Sequence, residues 1–197
     1  MLHIVRHGRT DHNASGLLLG RIDPPLDALG QQQAAALASA IGPVDRVISS
    51  PLLRTRETAS AFDVEPIIDD RWIELDYGEY DGVPLASVEP RVWKRWRTDA
   101  DFAPPRGESL RQLGQRVSDA LDELVTIDDP ELTTVIVTHV SPIKAAVCWA
   151  LEVDDLVSWR LWVATASITT IQIGGGRRAM HGFNDIAHLR AAGLADR

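Results

Sequence analysis

The stretch Leu2-His3-Ile4-Val5-Arg6-His7-Gly8 decides the fold prediction, because a short and mainly apolar run leads directly into two chemically active side chains. The run Leu2–Val5 predicts a buried strand at the start of the chain. Open α/β folds bind ligands at the carboxyl ends of their strands, so Arg6 and His7 would lie at that edge. Gly8 would let a bound group approach the backbone closely. The triplet also occurs by chance, so its weight depends on the rest of the chain.

Beyond this strand, predicted strands and helices alternate, which indicates an α/β fold with a mostly parallel sheet. Further strands are predicted over Asp45–Ile48, Glu65–Ile68, Thr133–Thr138, Leu161–Val163, Ser167–Ile173 and Arg178–Phe183, the last two joined by a turn at Gly174–Gly176. Helices are predicted over Leu26–Ile41 with Asp27 as N-cap, from Ser50-Pro51, over Ser109–Val125, and from Ser141-Pro142 to about Leu151. We therefore expect residues 1–197 to form one domain, a three-layer αβα sandwich with a mostly parallel central sheet.

Residues 83–108 interrupt this alternation with poor periodicity, and Trp93 and Trp96 alternate there with basic residues. The segment predicts one or two short helices that form a small lid over the sheet edge, with the aromatic side chains inward. Stacking on nucleobases is the alternative for such aromatic and basic residues. Three other tryptophans are expected to fill the core, and these are Trp149, Trp159 and Trp162.

Composition excludes several classes of protein. The net charge of −8 argues against nucleic-acid binding by bulk electrostatics. No apolar run approaches the roughly 20 residues of a membrane span, and no secretory signal is visible, so a cytoplasmic location is expected. A single cysteine, Cys148, excludes an internal disulfide and a cysteine-built zinc site. Histidines outside the motifs lack ligand-like spacing, so we expect no metal and no other cofactor.

Four more motifs accompany the first, and their order makes the set specific. The five stretches are Arg6–Asn13, Gly20–Leu26, Ser49–Ala59, Ile73–Gly82 and Val137–His139. Together they resemble the histidine phosphatase superfamily, in its phosphoglycerate-mutase-like branch. The other large branch carries an aspartate after the second histidine, where this chain has Val140. The run Val140–Lys144 replaces the glycines of many members and resembles α-ribazole-phosphatase-like members.

The resemblance implies a metal-independent phosphatase that hydrolyses a phosphomonoester of a small metabolite through a phosphohistidine. It assigns His7 as the nucleophile and Glu74 as the proton donor. Neighbouring cations would depress the pKa of His7 and favour its neutral, nucleophilic form. The phosphoryl group would be held by Arg6, Arg54 and His139. Further substrate contacts are expected from Asn13, Gly20, Arg21 and Tyr77 and from the backbone N–H of Val140.

Ordinary structural roles compete with each of these assignments. Arg54 alone would be a surface salt bridge, Glu74 one carboxylate of a solvated acidic loop, and His139 a core histidine. Asp76 is the rival carboxylate for the acid role.

Two other functions also remain open at this point. A cofactor-primed phosphoglycerate mutase of the same fold would use basic residues of segment 83–108, and a non-catalytic phospho-ligand binding protein would lack turnover. The mutases carry a longer insert with adjacent arginines, whereas this segment is short and ends in Pro105–Ser109, which resembles the phosphatases. We expect no nucleic-acid or membrane partner, while a homodimer could form through the C-terminal hairpin.

Overall fold

Six strands form one sheet in the computed structural model, which describes residues 1–127, 132–174 and 177–195. They are β1 (Leu2–Arg6), β2 (Arg46–Ser49), β3 (Ile67–Ile68), β4 (Thr134–Thr138), β5 (Ile168–Gly174) and β6 (Arg177–Asp185). Their order across the sheet is β3-β2-β4-β1-β5-β6. The first four strands in this order pair in parallel, and β5 and β6 are antiparallel additions. The prediction of a mostly parallel sheet is confirmed.

Helices cover both faces of this sheet. They are α1 (Asp11–Ala14), α2 (Ala28–Ile41), α3 (Leu53–Ala59), α4 (Pro90–Thr98), α5 (Leu110–Ile127), α6 (Val140–Leu151) and α7 (Ala187–Ala192). Short 3-10 helices occupy Asp70–Trp72, Gly78–Tyr80, Leu85–Ser87 and Asp155–Arg160. Segment 83–108 thus contains one 3-10 turn and α4, as expected. Among the described residues, no helix is long and apolar enough to cross a bilayer.

Alternating side chains of the central strands divide the core into two layers. Ile136 of β4 packs into a cluster with residues of α5 and α6, such as Leu121. Its neighbours Val135 and Val137 pack into a second cluster with Leu37 of α2. This alternation follows from the two-residue period of a strand, and it produces the predicted three-layer sandwich.

Several element boundaries and one strand differ from the sequence prediction. Helix α3 begins at Leu53 rather than at Ser50-Pro51, and α6 begins at Val140 with His139 as its N-cap. No strand forms over Leu161–Val163, where the chain is irregular and the carbonyl oxygen of Val163 accepts a hydrogen bond from the side chain of Arg6. The predicted turn at Gly174–Gly176 falls partly outside the described residues.

Strand register brings the two histidine motifs to the same edge. Arg6 of β1 lies beside Thr138 of β4, so His7 and His139 are the next residues on neighbouring parallel strands. Ser49 of β2 lies beside Val137, one step earlier on β4. The residues that follow these three adjacent strands therefore lie close together at the carboxyl edge of the sheet, where open α/β folds bind ligands.

A glycine pair lets the loop after β1 pack directly on the start of α2. A Cβ atom added at Gly8 would lie 2.3 Å from the carbonyl oxygen of Gly30, and one added at Gly30 would lie 2.0 Å from that of Arg9. Side chains cannot be accommodated at such distances without moving backbone. The glycine after His7 is thus required by packing, and the close approach fixes the position of the loop.

Candidate active site

His7 and His139 meet at the sheet edge, with their ring centroids 5.2 Å apart and the ring planes at 61°. Both side chains are almost fully buried. The first follows β1 and the second is the N-cap of α6, so each is fixed by a regular element rather than by a flexible loop. The predicted pairing of the two histidine motifs is therefore what the structure shows.

One ring nitrogen of His7 forms a hydrogen bond with the backbone, and this bond determines which nitrogen carries the proton. Nδ1 lies 2.6 Å from the carbonyl oxygen of Gly8. A carbonyl only accepts, so Nδ1 carries the proton and donates it, and Nε2 keeps its lone pair. Burial, and then the charges of Arg54 and Arg6, hold the pKa of His7 well below 6.5. The imidazole is neutral at neutral pH, as the sequence predicted.

His139 is also neutral at neutral pH. Its Nε2 lies 2.8 Å from the hydroxyl oxygen of Ser50. Burial, and then Arg54, hold the pKa of His139 well below 6.5. Its buried Nδ1 has no hydrogen-bond partner among the described residues. If the Ser50 hydroxyl donates to Nε2, Nδ1 is an N–H donor beside His7 that lacks an acceptor.

These two neutral histidines make the stability of the fold depend on pH. Between 6.5 and their lower folded pKa values, the unfolded chain binds more protons than the folded one. The free energy of unfolding should therefore fall as the pH drops below about 6.5, by up to about 1.4 kcal/mol per pH unit for each histidine. Urea unfolding between about pH 7 and pH 5 measures this slope. His139→Gln should make it shallower, and an unchanged slope in this variant would contradict the assignment.

Arg54 is completely buried, which excludes the surface salt bridge as its role. Its Nη1 and Nη2 donate to the carbonyl oxygens of Ile22 and Gly20, at 2.8 and 2.7 Å. Burial lowers the pKa of Arg54 to about 10, although Glu74 and Asp23 raise it. The guanidinium therefore remains charged at neutral pH, in a place where its charge acts on both histidines.

Asp81 holds the loop that carries these two carbonyls. Its carboxylate accepts hydrogen bonds from the backbone N–H groups of Gly20, Arg21 and Ile22, at 2.7, 2.8 and 2.9 Å. Three donors on one carboxylate fix the loop, and the loop in turn fixes Arg54. Asp81 therefore positions Arg54 indirectly, through the backbone of residues 20–22.

Glu74 is buried against the first turn of α6. Its Oε2 accepts from the N–H of Val140 at 3.1 Å, and its Oε1 accepts from the N–H of Ser141 at 3.2 Å and of Leu75 at 2.7 Å. The predicted solvated acidic loop is thus excluded for Glu74. The N–H of Val140, expected to face a substrate anion, donates to this carboxylate.

Asp76, the rival carboxylate for the acid role, interacts with Gly78 and Arg21 rather than with the histidines. It accepts from the N–H of Gly78 at 2.8 Å and lies 3.4 Å from the Nε of Arg21. Arg21 also lies 3.7 Å from Glu108 and is exposed. Neither Asp76 nor Arg21 lines the cavity in front of His7.

A cavity of about 300 Å³ opens in front of His7. The predicted site residues that line it are Arg6, His7, Asn13, Glu74, Tyr77 and Val140. Arg6 also donates from Nη1 to the carbonyl oxygen of Val163, at 2.8 Å, which anchors its guanidinium. The structure thus brings six predicted residues to one cavity, with Arg54 and His139 buried next to His7.

Comparisons with known proteins agree with this geometry. The family model for the histidine phosphatase superfamily, branch 1, matches residues 2–186. The chain belongs to the histidine phosphatase superfamily. Phosphoserine phosphatase 1 of Hydrogenobacter thermophilus is 33% identical over 198 residues, which are 95% of this chain and 93% of that protein. The resemblance drawn from the motifs is confirmed.

Solved structures show the same fold. The phosphoserine phosphatase of Entamoeba histolytica in complex with 3-phosphoglyceric acid superposes with a TM-score of 0.88 at 27% identity, covering 95% of this chain and 98% of its own. A candidate α-ribazole-5'-P phosphatase of Escherichia coli has a TM-score of 0.81 at 22% identity over 93% of this chain and 95% of its own, which supports the shared fold alone.

Some curated relatives are much longer. This chain spans about half the length of a bifunctional protein of Mycobacterium tuberculosis, which is 32% identical over 178 residues covering 85% of this chain. Those longer proteins therefore resemble it over one part only.

Sequence reasoning missed four residues of the site. Trp162, expected in the core, is 68% exposed and lines the mouth of the cavity, because residues 161–163 do not join the sheet. The sequence predicts Ser50 only as a helix start, and it assigns Asp81 no individual role. Lys144 lines the cavity as well, although its position after Pro142 gave no signal of this. Of these four residues, only Ser50 had a usable signal in the sequence, namely its place in the motif Ser49-Ser50-Pro51.

Proposed function

We propose that this chain is a metal-independent phosphatase that hydrolyses a small phosphomonoester through a phosphohistidine on His7. The observation that carries the proposal is the hydrogen bond from His7 Nδ1 to Gly8, which leaves the Nε2 lone pair in a cavity surrounded by cations. A neutral imidazole with a fixed ring is the form that attacks phosphorus.

The first half-reaction transfers the phosphoryl group to the protein. The Nε2 lone pair of His7 forms the P–N bond while the ester P–O bond breaks on the opposite side. Arg6, the N–H of His139 and the Nε–H of Arg54, which has no hydrogen-bond partner among the described residues, hold the phosphoryl oxygens and stabilise their negative charge. Glu74 enters this step as the neutral acid, the form that the second half-reaction regenerates, and gives its proton to the departing alkoxide, which leaves as an alcohol.

The second half-reaction returns the protein to its starting state. A water molecule attacks phosphorus and gives its proton to Glu74, while the P–N bond breaks. Inorganic phosphate leaves, and His7 regains its neutral imidazole. Glu74 is suited to both steps because it lies in the same cavity as His7.

A phosphoryl group would also compete for the N–H groups that now bind Glu74. The start of α6 presents the N–H groups of Val140 and Ser141, which favour an anion. When a phosphoryl oxygen takes one of them, Glu74 loses that contact and can turn towards the leaving oxygen. Substrate binding would thus prepare the acid for its role.

The packing of segment 83–108 supports its proposed role as a lid over this cavity. Trp93 lines the cavity, and Trp96 is almost fully buried in a cluster of edge-on aromatic contacts with Tyr77, Tyr80 and Phe102. The aromatic side chains therefore pack inward, as predicted, and can exclude water from the reaction.

The mutase alternative needs basic residues of this segment to grip a substrate carboxylate. The basic residues of α4 within this segment are exposed and lie outside the cavity: Arg91, Lys94, Arg95 and Arg97. Arg95 lies over the ring of Phe102 and Arg97 over that of Trp93. This geometry favours hydrolysis over transfer between substrate positions.

Phosphate release from p-nitrophenyl phosphate and a panel of phosphorylated metabolites tests the proposal. We expect turnover that is unchanged by excess EDTA, because no step uses a metal. A coupled assay with 3-phosphoglycerate and a bisphosphate primer serves as the comparison. Isomerisation that depends on the primer, without phosphate release, would contradict the phosphatase and support the mutase, while no turnover at all would support a binding protein.

A further inference from the structure

Lys144 lies on the wall of the catalytic cavity, one helical turn after Val140 on α6. Every other residue from 141 to 150 is buried, and Lys144 alone in this stretch is half-buried. Its side chain also borders a small side pocket together with Tyr77, Ser141 and Trp159. The cavity and this side pocket adjoin each other, since they share Tyr77, Val140, Lys144 and Trp159.

The ammonium group of Lys144 has neither a hydrogen bond nor an ion pair with any described residue. Among the described residues, Glu74 is the only carboxylate that lines the cavity, and it is engaged by backbone N–H groups rather than by Lys144. Burial lowers the pKa of Lys144, although Glu74 raises it. A half-buried charge without a partner costs free energy, and a ligand carrying the opposite charge would recover it.

Other cations at this end of the sheet already have defined tasks. Arg54 is held by two carbonyl oxygens behind the histidines, and Arg21 lies against Asp76 and Glu108. Arg6 is placed beside His7 for the phosphoryl group. A substrate with one further negative charge would therefore find its counter-charge at Lys144.

We propose that Lys144 binds a carboxylate of the substrate and so selects phosphomonoesters of small hydroxy or amino acids. This inference rests on the proposed phosphatase function and names the class of its substrate. The ammonium donates to the carboxylate, and the hydroxyl groups of Tyr77 and Ser141, 3.3 Å apart, border the same side pocket and can add further donors. The phosphoryl group lies at His7, and the carboxylate reaches the wall formed by α6.

A different role for Lys144 would give a different result. If its charge served only to balance Glu74, its removal would change proton transfer for every substrate to a similar extent. If it bound a carboxylate, its removal would affect only substrates that carry one. The test therefore compares two substrates that differ in this single group.

Phospho-L-serine and O-phosphoethanolamine form such a pair, because the second is the first without its carboxylate. We expect the wild-type protein to prefer phosphoserine in kcat/KM. In Lys144→Met, kcat/KM for phosphoserine should fall by about 10- to 100-fold, the usual range for losing a hydrogen bond to a charged group. The value for phosphoethanolamine should fall by a much smaller factor, and Lys144→Arg should recover part of the preference.

Lys94→Met is the matched control, since Lys94 is the only other lysine and is exposed on α4. It should leave the preference for phosphoserine unchanged. Equal losses for both substrates in Lys144→Met, or a wild-type protein that hydrolyses p-nitrophenyl phosphate without preferring phosphoserine, would overturn the role of Lys144. A wild-type protein that hydrolyses no phosphomonoester would instead contradict the proposed phosphatase itself.

Discussion

Replacing His7 with alanine is expected to reduce phosphomonoester hydrolysis by about 10³-fold or more, because the atom that attacks phosphorus is removed. The cations around the cavity stay in place in this variant, so the phosphoryl group should still bind. The loss should therefore appear mainly in kcat, while the affinity for inorganic phosphate or vanadate changes little. Release of p-nitrophenolate under steady-state conditions measures the first quantity, and inhibition or calorimetry measures the second.

The fold should tolerate this change. The hydrogen bond of His7 is made to the backbone carbonyl of the next residue, and the loop is held independently by the contact between Gly8 and Gly30. His181→Ala is the matched control, since His181 is exposed on β6, and it should keep full activity. A His7→Ala protein with a normal melting temperature and more than about 1% of the wild-type rate would remove His7 from the role of nucleophile.

Glu74→Gln is expected to slow hydrolysis by about 10²- to 10⁴-fold for alkyl phosphates, whose alkoxide leaving groups need a proton. For p-nitrophenyl phosphate the loss should be much smaller, because p-nitrophenolate is stable without one. The glutamine keeps the size of the side chain and one oxygen acceptor for the N–H groups of α6. The ratio of the two losses therefore reports proton donation rather than packing.

Glu79→Gln serves as the control for Glu74, because Glu79 is an exposed carboxylate of the same acidic stretch and pairs with Arg106 at 3.2 Å. It should leave both rates unchanged. Equal losses for the alkyl and the aryl substrate in Glu74→Gln would show that Glu74 does not donate the proton. Asp76 would then need testing in its place, although it lies outside the cavity.

Much of this architecture follows from the amino-acid sequence because each strand carries its own signal. Apolar runs mark β1 and β4, and the residues that follow them are fixed at the sheet edge by parallel register, with Arg6 beside Thr138. The N-cap Asp27 was also predictable, and its Oδ1 accepts from the N–H of Gly30 at 2.7 Å. Strands and N-caps of this kind can be predicted because they depend mainly on residues that are close together in the sequence.

Contacts between distant segments could not be predicted in the same way. Asp81 binds N–H groups about 60 positions earlier, and Glu74 binds the start of α6, which lies 66 positions later. No periodicity encodes such pairings, because they depend on how the loops cross after folding. Trp162 shows the same limit, since its exposure at the cavity mouth depends on the path of the irregular stretch 161–167 that precedes β5.

The most direct measurement is to quench the protein during turnover of a ³²P-labelled phosphomonoester and locate the label. We expect a phosphorylated protein whose label is lost in acid, survives in base and maps to His7, and we expect no label on His7→Ala. A label that survives acid on a serine, one that maps to an aspartate, or a protein that turns over substrate without ever carrying label would contradict this expectation.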